Sequence, residues 1–415
     1  MRAILTLAAL VASTAAARGQ QTLQLDTLVR EALASNPEIA AARKAYEAAR
    51  QRPTQESTLP EPMVSLGYAS AGSPRPFAGL GTSPTANAGV MVSQEFPFPG
   101  KLKLRGEVAS KEADAQFQQY QAVELSVVSR VKQAFYRLAY AYSATGVLTR
   151  NRDLLTKLLR VTEARYSVGK AMQQDIFKAQ TQLSILETRL VKLEQERNSR
   201  EAEIDSLLNR APGTPVGKPE ETKPAELIVT LEDLYKSARE NSPMLRRDQK
   251  MVERTELALN LARKEYYPDY ALNAGYFNMG SMPPMYEFRA DFKLPLYFWR
   301  KQRAGVAEQA DNLVQARKSY EATGQNLMFR IKDDYLMAAA SERLMKIYSN
   351  TVVPQASLAF ESSLAGYEAG TLDFLSVLSN FSNVLDYEMN YYEELLSFNL
   401  ALSRLEEMTA ERLTR

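Results

Sequence analysis

The chain contains no cysteine and no histidine in 415 residues. Those two absences together remove the Ser-His-Asp triad, the thiol nucleophile and the ordinary zinc site. They also remove the side chain that most often moves protons near neutral pH. No glycine loop of the GxxxxGK[ST] kind is present and no GxGxxG follows a strand, so neither nucleotide signature is available. Carboxylate pairs capable of glycosidase-type work remain, but nearly all lie on long polar helix faces, where solvation accounts for them. No catalytic residue, resident metal or cofactor is therefore expected. An excess of one charge is also lacking. With 51 basic and 49 acidic residues the formal charge is +2, which gives no electrostatic footing for nucleic acid.

Long apolar runs are scarce. One follows Arg2, from Ala3 to Ala17, and closes on Ala15-Ala16-Ala17 before Gly19-Gln20-Gln21 breaks the pattern. That is the layout of an export signal over residues 1–17, with a core helix as the competing reading. There is no cysteine to acylate, which excludes a lipid-anchored N-terminus. No other stretch offers about 18 consecutive apolar residues, so a mature chain embedded in a membrane must be a β-barrel.

Proline is absent from Gly100 to Ala211. Within that span Val131, Phe135, Leu138 and Tyr142 recur at spacings of three and four, an apolar helical stripe. A helix from Lys101 to Tyr166 is about 100 Å long at roughly 1.5 Å per residue. Such a helix needs neighbours along its whole length, so coiled-coil packing is expected. Ser167-Val168-Gly169-Lys170 reads as a tight turn, after which Gln173–Arg210 returns.

What the chain does contain is a repeat. Leu28, Ala32 and Pro37 match Leu234, Ala238 and Pro243 at one constant offset. Pro60 and Gly67-Tyr68 match Pro268 and Gly275-Tyr276; Pro97, Arg105 and Val108-Ala109 match Pro295, Arg303 and Val306-Ala307. Tyr166-x-x-Gly169 matches Tyr367-x-x-Gly370, and all the pairs stay collinear with small shifts in offset. Each unit reads helix, strand, loop, strand, very long helix, tight turn, helix. The first covers 18–210, with a β-hairpin at 63–96 and a helical hairpin at 101–210. An irregular Pro/Gly/Lys/Glu-rich connector follows at 211–226. The second unit covers 227–415, with a β-hairpin at 270–294 and a helical hairpin at 301–412, whose long helix must accommodate Pro354 with a kink.

The strands carry the sharpest signal. Tyr286, Phe288, Ala290, Phe292 and Leu294 alternate with Glu287, Arg289, Asp291 and Lys293. A half-buried strand of a soluble sheet alternates too, but four successive charges against aromatics suit a barrel wall between lipid and water. Tyr297-Phe298-Trp299 sits where an aromatic girdle against outer-membrane lipid belongs, core packing being the alternative. Four strands cannot close a barrel, since about eight is the practical minimum. Symmetry must supply the rest, about 8 strands in a dimer or 12 in a trimer.

The duplicated helix–hairpin–helix unit, Asn36-Pro37, Pro97 with Pro99-Gly100-Lys101, and the two Tyr-x-x-Gly turns resemble the TolC-like outer-membrane efflux protein family. The resemblance covers essentially everything after the export signal. It implies a mainly α fold with a β-barrel portion: a homotrimer with a 12-stranded outer-membrane barrel on an α-helical periplasmic tunnel. It also implies a passive exit duct without enzymatic activity, docked to a periplasmic adaptor protein and an inner-membrane efflux pump. The tips expected to dock are Ser167, Val168, Gly169 and Lys170, and Glu368, Ala369, Gly370 and Thr371. By position Asp175 matches an acidic gating residue and Tyr367 the tyrosine it pairs with across protomers; a helix-start acid and a packed aromatic are the alternative. Leu372 stands where some members carry a locking arginine, and Ser376 and Ser379 where others carry a ring of aspartates. The Pro-Gly-Lys stretch looks most like the branch serving heavy-metal pumps, and Met279, Met282 and Met285 are either soft-metal ligands or incidental loop residues. The competing function is a periplasmic coiled-coil scaffold or adaptor without a pore, which the alternating strands argue against.

Overall fold

The computed structural model describes residues 22–413. The export signal expected over 1–17 lies outside them. Elements are numbered here in chain order: α1 (Leu25–Ser35), α2 (Pro37–Ala49), α3 (Arg52–Ser57), β1 (Met63–Ala69), β2 (Asn87–Phe96), α4 (Lys101–Ser167) and α5 (Gln173–Leu207). The second copy gives α6 (Leu231–Asn241), α7 (Pro243–Lys264), β3 (Asp269–Met279), β4 (Met282–Lys293), α8 (Lys301–Ile347), α9 (Val353–Ala369) and α10 (Phe374–Thr409).

The chain packs as two units. Among the described residues, one gathers 22–41, Gln121–Ser242 and 326–413; the other gathers Ala42–Tyr120 and Pro243–Gln325. Each draws on both copies of the repeat, so the repeat is a unit of sequence and not of packing.

The helical start of each copy breaks before its proline. Asn36 is extended (φ −67°, ψ 126°), as the residue before Pro37 must be. Its Oδ1 accepts the backbone N–H groups of Glu38 (2.8 Å) and Ile39 (3.2 Å), capping α2. Its amide donates to the Leu207 carbonyl at the end of α5, 2.8 Å away. One buried side chain thus closes two helix ends. Ser242 precedes Pro243 in the same extended conformation. The first copy breaks a second time, at Arg50-Gln51, because Pro53 sits in the first turn of α3; α7 has no counterpart proline and runs on to Lys264.

The long helices differ in the same way. Proline-free α4 runs 67 residues without interruption. The kink expected at Pro354 is a π-helical turn, Tyr348–Val352, between α8 and α9. Proline has no N–H to donate, and the wider turn absorbs the lost bond just ahead of it. The core of this unit lies between α4, α5, α9 and α10, where Leu148, Leu155, Leu186, Val377, Phe381 and Leu385 are buried.

The other unit carries a single antiparallel sheet in the order β1-β2-β3-β4. Its register aligns Val64 with Val92, Val92 with Ala274 and Ala274 with Phe288, so the alternation of each strand adds to one continuous face. A bulge between Phe277 and Met279 interrupts the β3–β4 ladder before its last pair, Met279 with Met282. There Gly280 meets the backbone of Gly81 at a distance a side chain could not share, and the Ser281 hydroxyl donates to the Gly81 carbonyl at 2.8 Å.

Candidate functional site

Two regions carry the residues singled out from sequence: the sheet with its strand-to-helix junctions, and the turns at the ends of the helical hairpins.

One face of the sheet is apolar from edge to edge and exposed in the single chain. Val64, Leu66 and Tyr68 of β1 continue into Val92 of β2 and Leu272 and Tyr276 of β3. Tyr286, Phe288 and Phe292 of β4 complete it, with Phe288 82% exposed. Aromatic pairs form two tiers on this face. Near one end are Tyr276–Tyr286 and Tyr68–Phe77, each with ring centroids 5.5 Å apart; near the other are Phe96–Tyr270 at 5.4 Å and Tyr270–Phe292 at 6.4 Å. Six strand residues separate the tiers, about 20 Å at roughly 3.4 Å per residue, close to the apolar band of an outer-membrane barrel. The opposite face mixes small, polar and a few apolar residues and is charged along β4. Arg289 pairs with Asp291 (3.0 Å) and Glu287 (3.5 Å), and the Asn273 amide donates to Asp291 at 2.9 Å. Edge strands β1 and β4 each have one side without a partner strand among the described residues.

The two strand-to-helix junctions are built differently. At the first, Gly100 turns the chain at φ +88° and delivers Lys101, whose side chain is 1% exposed. Its ammonium donates to Asp269 (2.9 Å), to Glu265 (3.2 Å) and to the Tyr267 carbonyl (3.1 Å). Asp269 also accepts the Phe98 N–H at 2.7 Å, and Phe98 stacks on Tyr267 at 4.5 Å. Pro-Gly-Lys is therefore a staple joining β2–α4 to α7–β3. At the second junction Tyr297, Phe298 and Trp299 are all exposed, with Trp299 in edge-on contact with Phe298 at 5.2 Å and with Tyr297 at 6.3 Å. Within one chain they are not core residues.

The tips end in the same motif twice. Gly169 (φ +74°) donates to the Tyr166 carbonyl at 2.9 Å and Lys170 N–H to Arg165 at 2.8 Å. Gly370 (φ +85°) donates to Tyr367 at 3.0 Å and Thr371 N–H to Gly366 at 2.9 Å. These are helix ends in which glycine supplies the left-handed residue. Ser167 bonds back to Ala164 at 2.7 Å, Glu368 and Ala369 close α9, and Val168 projects 66% exposed. One side chain joins the turns: Arg165 donates to the Tyr367 carbonyl, to Glu368 at 3.0 Å and to Lys170 at 3.4 Å, while lying 4.6 Å over the Tyr367 ring. Arg165 was not singled out from sequence, although a basic residue in a helix's last turn is a recognisable signal.

Asp175 and Tyr367 are not brought together within the chain. Asp175 accepts the Met172 N–H at 3.3 Å and closes the first turn of α5. Tyr367 is 3% exposed, and its hydroxyl donates to Thr162 Oγ1 at 3.3 Å. The hydroxyl expected to reach a neighbouring protomer points into its own chain; helix-start acid and packed aromatic describe the pair as it stands. Ser376 donates its N–H to Asp373 at 2.8 Å, Ser379 is exposed, and Leu372 packs on Gly366. Asp373, a second acid missed from sequence, caps α10; hydrogen bonds from Ser376 hold its carboxyl below the usual carboxylate range.

The sheet, apolar and exposed on one face, continues through its strand-to-helix junctions into long helical hairpins. The sequence model of the outer membrane efflux protein family matches residues 28–210 and 234–411, and the chain belongs to that family. It is an outer-membrane efflux channel protein reaching into the periplasm, and not an enzyme. The outer membrane protein TolC of Vibrio cholerae serotype O1 is 20% identical over 400 residues, 92% of this chain and 90% of that protein. Among solved structures, the outer-membrane channel OprN superposes with a TM-score of 0.80 at 16% identity, covering 93% of this chain and 89% of its own. VceC from Vibrio cholerae gives 0.80 at 18% identity (94% and 97%), and CusC gives 0.79 at 15% identity (95% and 95%). These likenesses are of fold.

Proposed function

We propose that three copies of this chain close a 12-stranded barrel and form the exit duct of a tripartite efflux system. A periplasmic adaptor and an inner-membrane pump discharge cargo through it. The observation that carries this reading is the sheet: apolar on one face, charged along β4 on the other, and open at both edges among the described residues. Mass measurement in mild detergent tests it, with a trimer expected. A monomer that stays soluble without detergent overturns both barrel and duct.

The cargo is a drug or a heavy-metal ion. On β4 the polar face carries Glu287, Arg289 and Asp291, paired with one another, which suits a duct of broad tolerance. Because Pro-Gly-Lys has a packing role at its junction, it does not by itself favour metal. The Ser167–Lys170 and Glu368–Thr371 turns dock the adaptor, supported by their exposure and by the strap of Arg165 between them. Gly169→Leu or Gly370→Leu then abolishes efflux at nearly unchanged trimer yield; normal transport by both variants removes the tips from docking. Closure of the periplasmic end rests on Asp175 more than on Tyr367, whose hydroxyl is engaged by Thr162. Asp175→Ala should therefore raise single-channel conductance in planar bilayers more than Tyr367→Phe does, and equal conductance in both would place the gate elsewhere.

A further inference from the structure

Beneath the lower aromatic tier, a cleft of about 340 Å³ opens between the end of β4 and the start of α8. Lys293, Leu294, Tyr297 and Lys301 line it, and Gly305 leaves one side open, with nothing within 4 Å of where a Cβ would stand. Two carboxylates border the same cleft, Glu265 and Asp269, but both are engaged by the buried Lys101 ammonium. Lys293, Arg300, Lys301 and Arg303 make no ion pair among the described residues. The Gln302 side chain adds a buried oxygen without a hydrogen-bond partner; with the amide turned, the same position presents an N–H.

The first copy of the repeat shows that this arrangement is not imposed by the fold. The offset that pairs Pro97 with Pro295 and Arg105 with Arg303 pairs Lys103 with Lys301 and Lys101 with Trp299. There Lys101 is consumed internally and Lys103 lies 3.7 Å from Glu107. In the second copy Lys293, Arg300 and Lys301 make no ion pair among the described residues and lie directly beside three exposed aromatics and an apolar strand face.

We propose that this cleft binds the headgroup of an anionic phospholipid in the leaflet facing the periplasm. The phosphate lies at the Lys301 ammonium, with Lys293 reaching into the cleft from the end of the β4 polar face and Arg300 and Arg303 adding long-range attraction. Tyr297 stands at the glycerol level, and the acyl chains follow Leu294, Phe292 and Phe288 up the wall. Each part uses ordinary interfacial chemistry: amphipathic rings at the headgroup level and unpaired cations beside them. The proposal rests on the barrel reading above.

The test uses the full-length protein in nanodiscs and counts retained lipid by native mass spectrometry after mild delipidation. Phosphatidylglycerol should be retained in preference to phosphatidylcholine. Lys301→Gln should weaken retention roughly fivefold, and Lys293→Gln with Lys301→Gln roughly 25-fold. Lys103→Gln, the matched change in the first copy, should leave it unchanged. Equal retention of the two lipids, or an equal loss in Lys103→Gln, overturns the site while leaving the barrel standing. Full displacement of lipid by millimolar inorganic phosphate also overturns it, because the cleft then holds a free ion. A chain that never enters nanodiscs overturns barrel and site together.

Discussion

The two copies of the repeat leave the sheet in opposite ways. The first turns on Gly100 and spends its lysine inside, on Asp269, Glu265 and a carbonyl. The second turns on Tyr297-Phe298-Trp299 and keeps its cations outside. At the far end the copies agree: both helices stop on a left-handed glycine, at Gly169 and Gly370. Duplication thus preserves the backbone solution where a turn must be tight, and diverges where the surroundings allow either an internal charge network or an interfacial anchor.

The largest test of that contrast is Lys101→Met. Removing one partner of a buried ionic cluster leaves Asp269 short of its cation, which should cost about 3–5 kcal/mol in denaturant unfolding of the purified protein. Trp299→Ala, the equivalent position in the second copy, should cost only about 1 kcal/mol. Equal losses would mean that the junctions are energetically alike. Next comes Arg165→Ala, which removes the strap between the tips and should cost about 1.5–3 kcal/mol locally. Hydrogen exchange should accelerate at residues 366–372 more than at 167–170, since most of the Arg165 contacts reach the second tip. Gly169→Ala and Gly370→Ala should each cost about 1 kcal/mol through the positive φ alone; a difference larger than that would show that Arg165 penalises a side chain at Gly370, 3.5 Å away.

The smallest effect concerns pH. Asp373 has a lowered folded-state pKa, so the helix cap it provides is fully present above the ordinary carboxylate pKa of about 3.9. It is lost as pH falls through the lowered folded value. Exchange in the first turn of α10 should therefore quicken only in acid, and Asp373→Asn should abolish that dependence. An unchanged acid response in the variant would assign it to another carboxylate.

Much of this was legible in the residues. The four strands, the two glycine turns and the duplicated order follow from alternation, from positive φ, and from proline placement, all of which act within a few residues. The reach of the Asn36 amide to Leu207 was not legible, since its partner lies far along the chain. Pro354 announced a disturbance, but whether the chain kinks or widens into a π turn depends on what packs around it.

The site divides along the same line. Asp175 and Tyr367 were chosen by position, and sequence could not say that the Tyr367 hydroxyl is engaged by Thr162. Arg165 and Lys101 carry contacts to segments far from them in the chain, so their roles appear only once those segments meet. By itself the sequence determined which residues alternate, where helices must start and stop, and that no acid–base chemistry based on histidine or cysteine is possible. Those are properties of covalent geometry and residue inventory. Tertiary structure alone decided which lysines are buried among carboxylates and which face outward, because burial and pairing of a charge depend on distant atoms converging within about 3 Å.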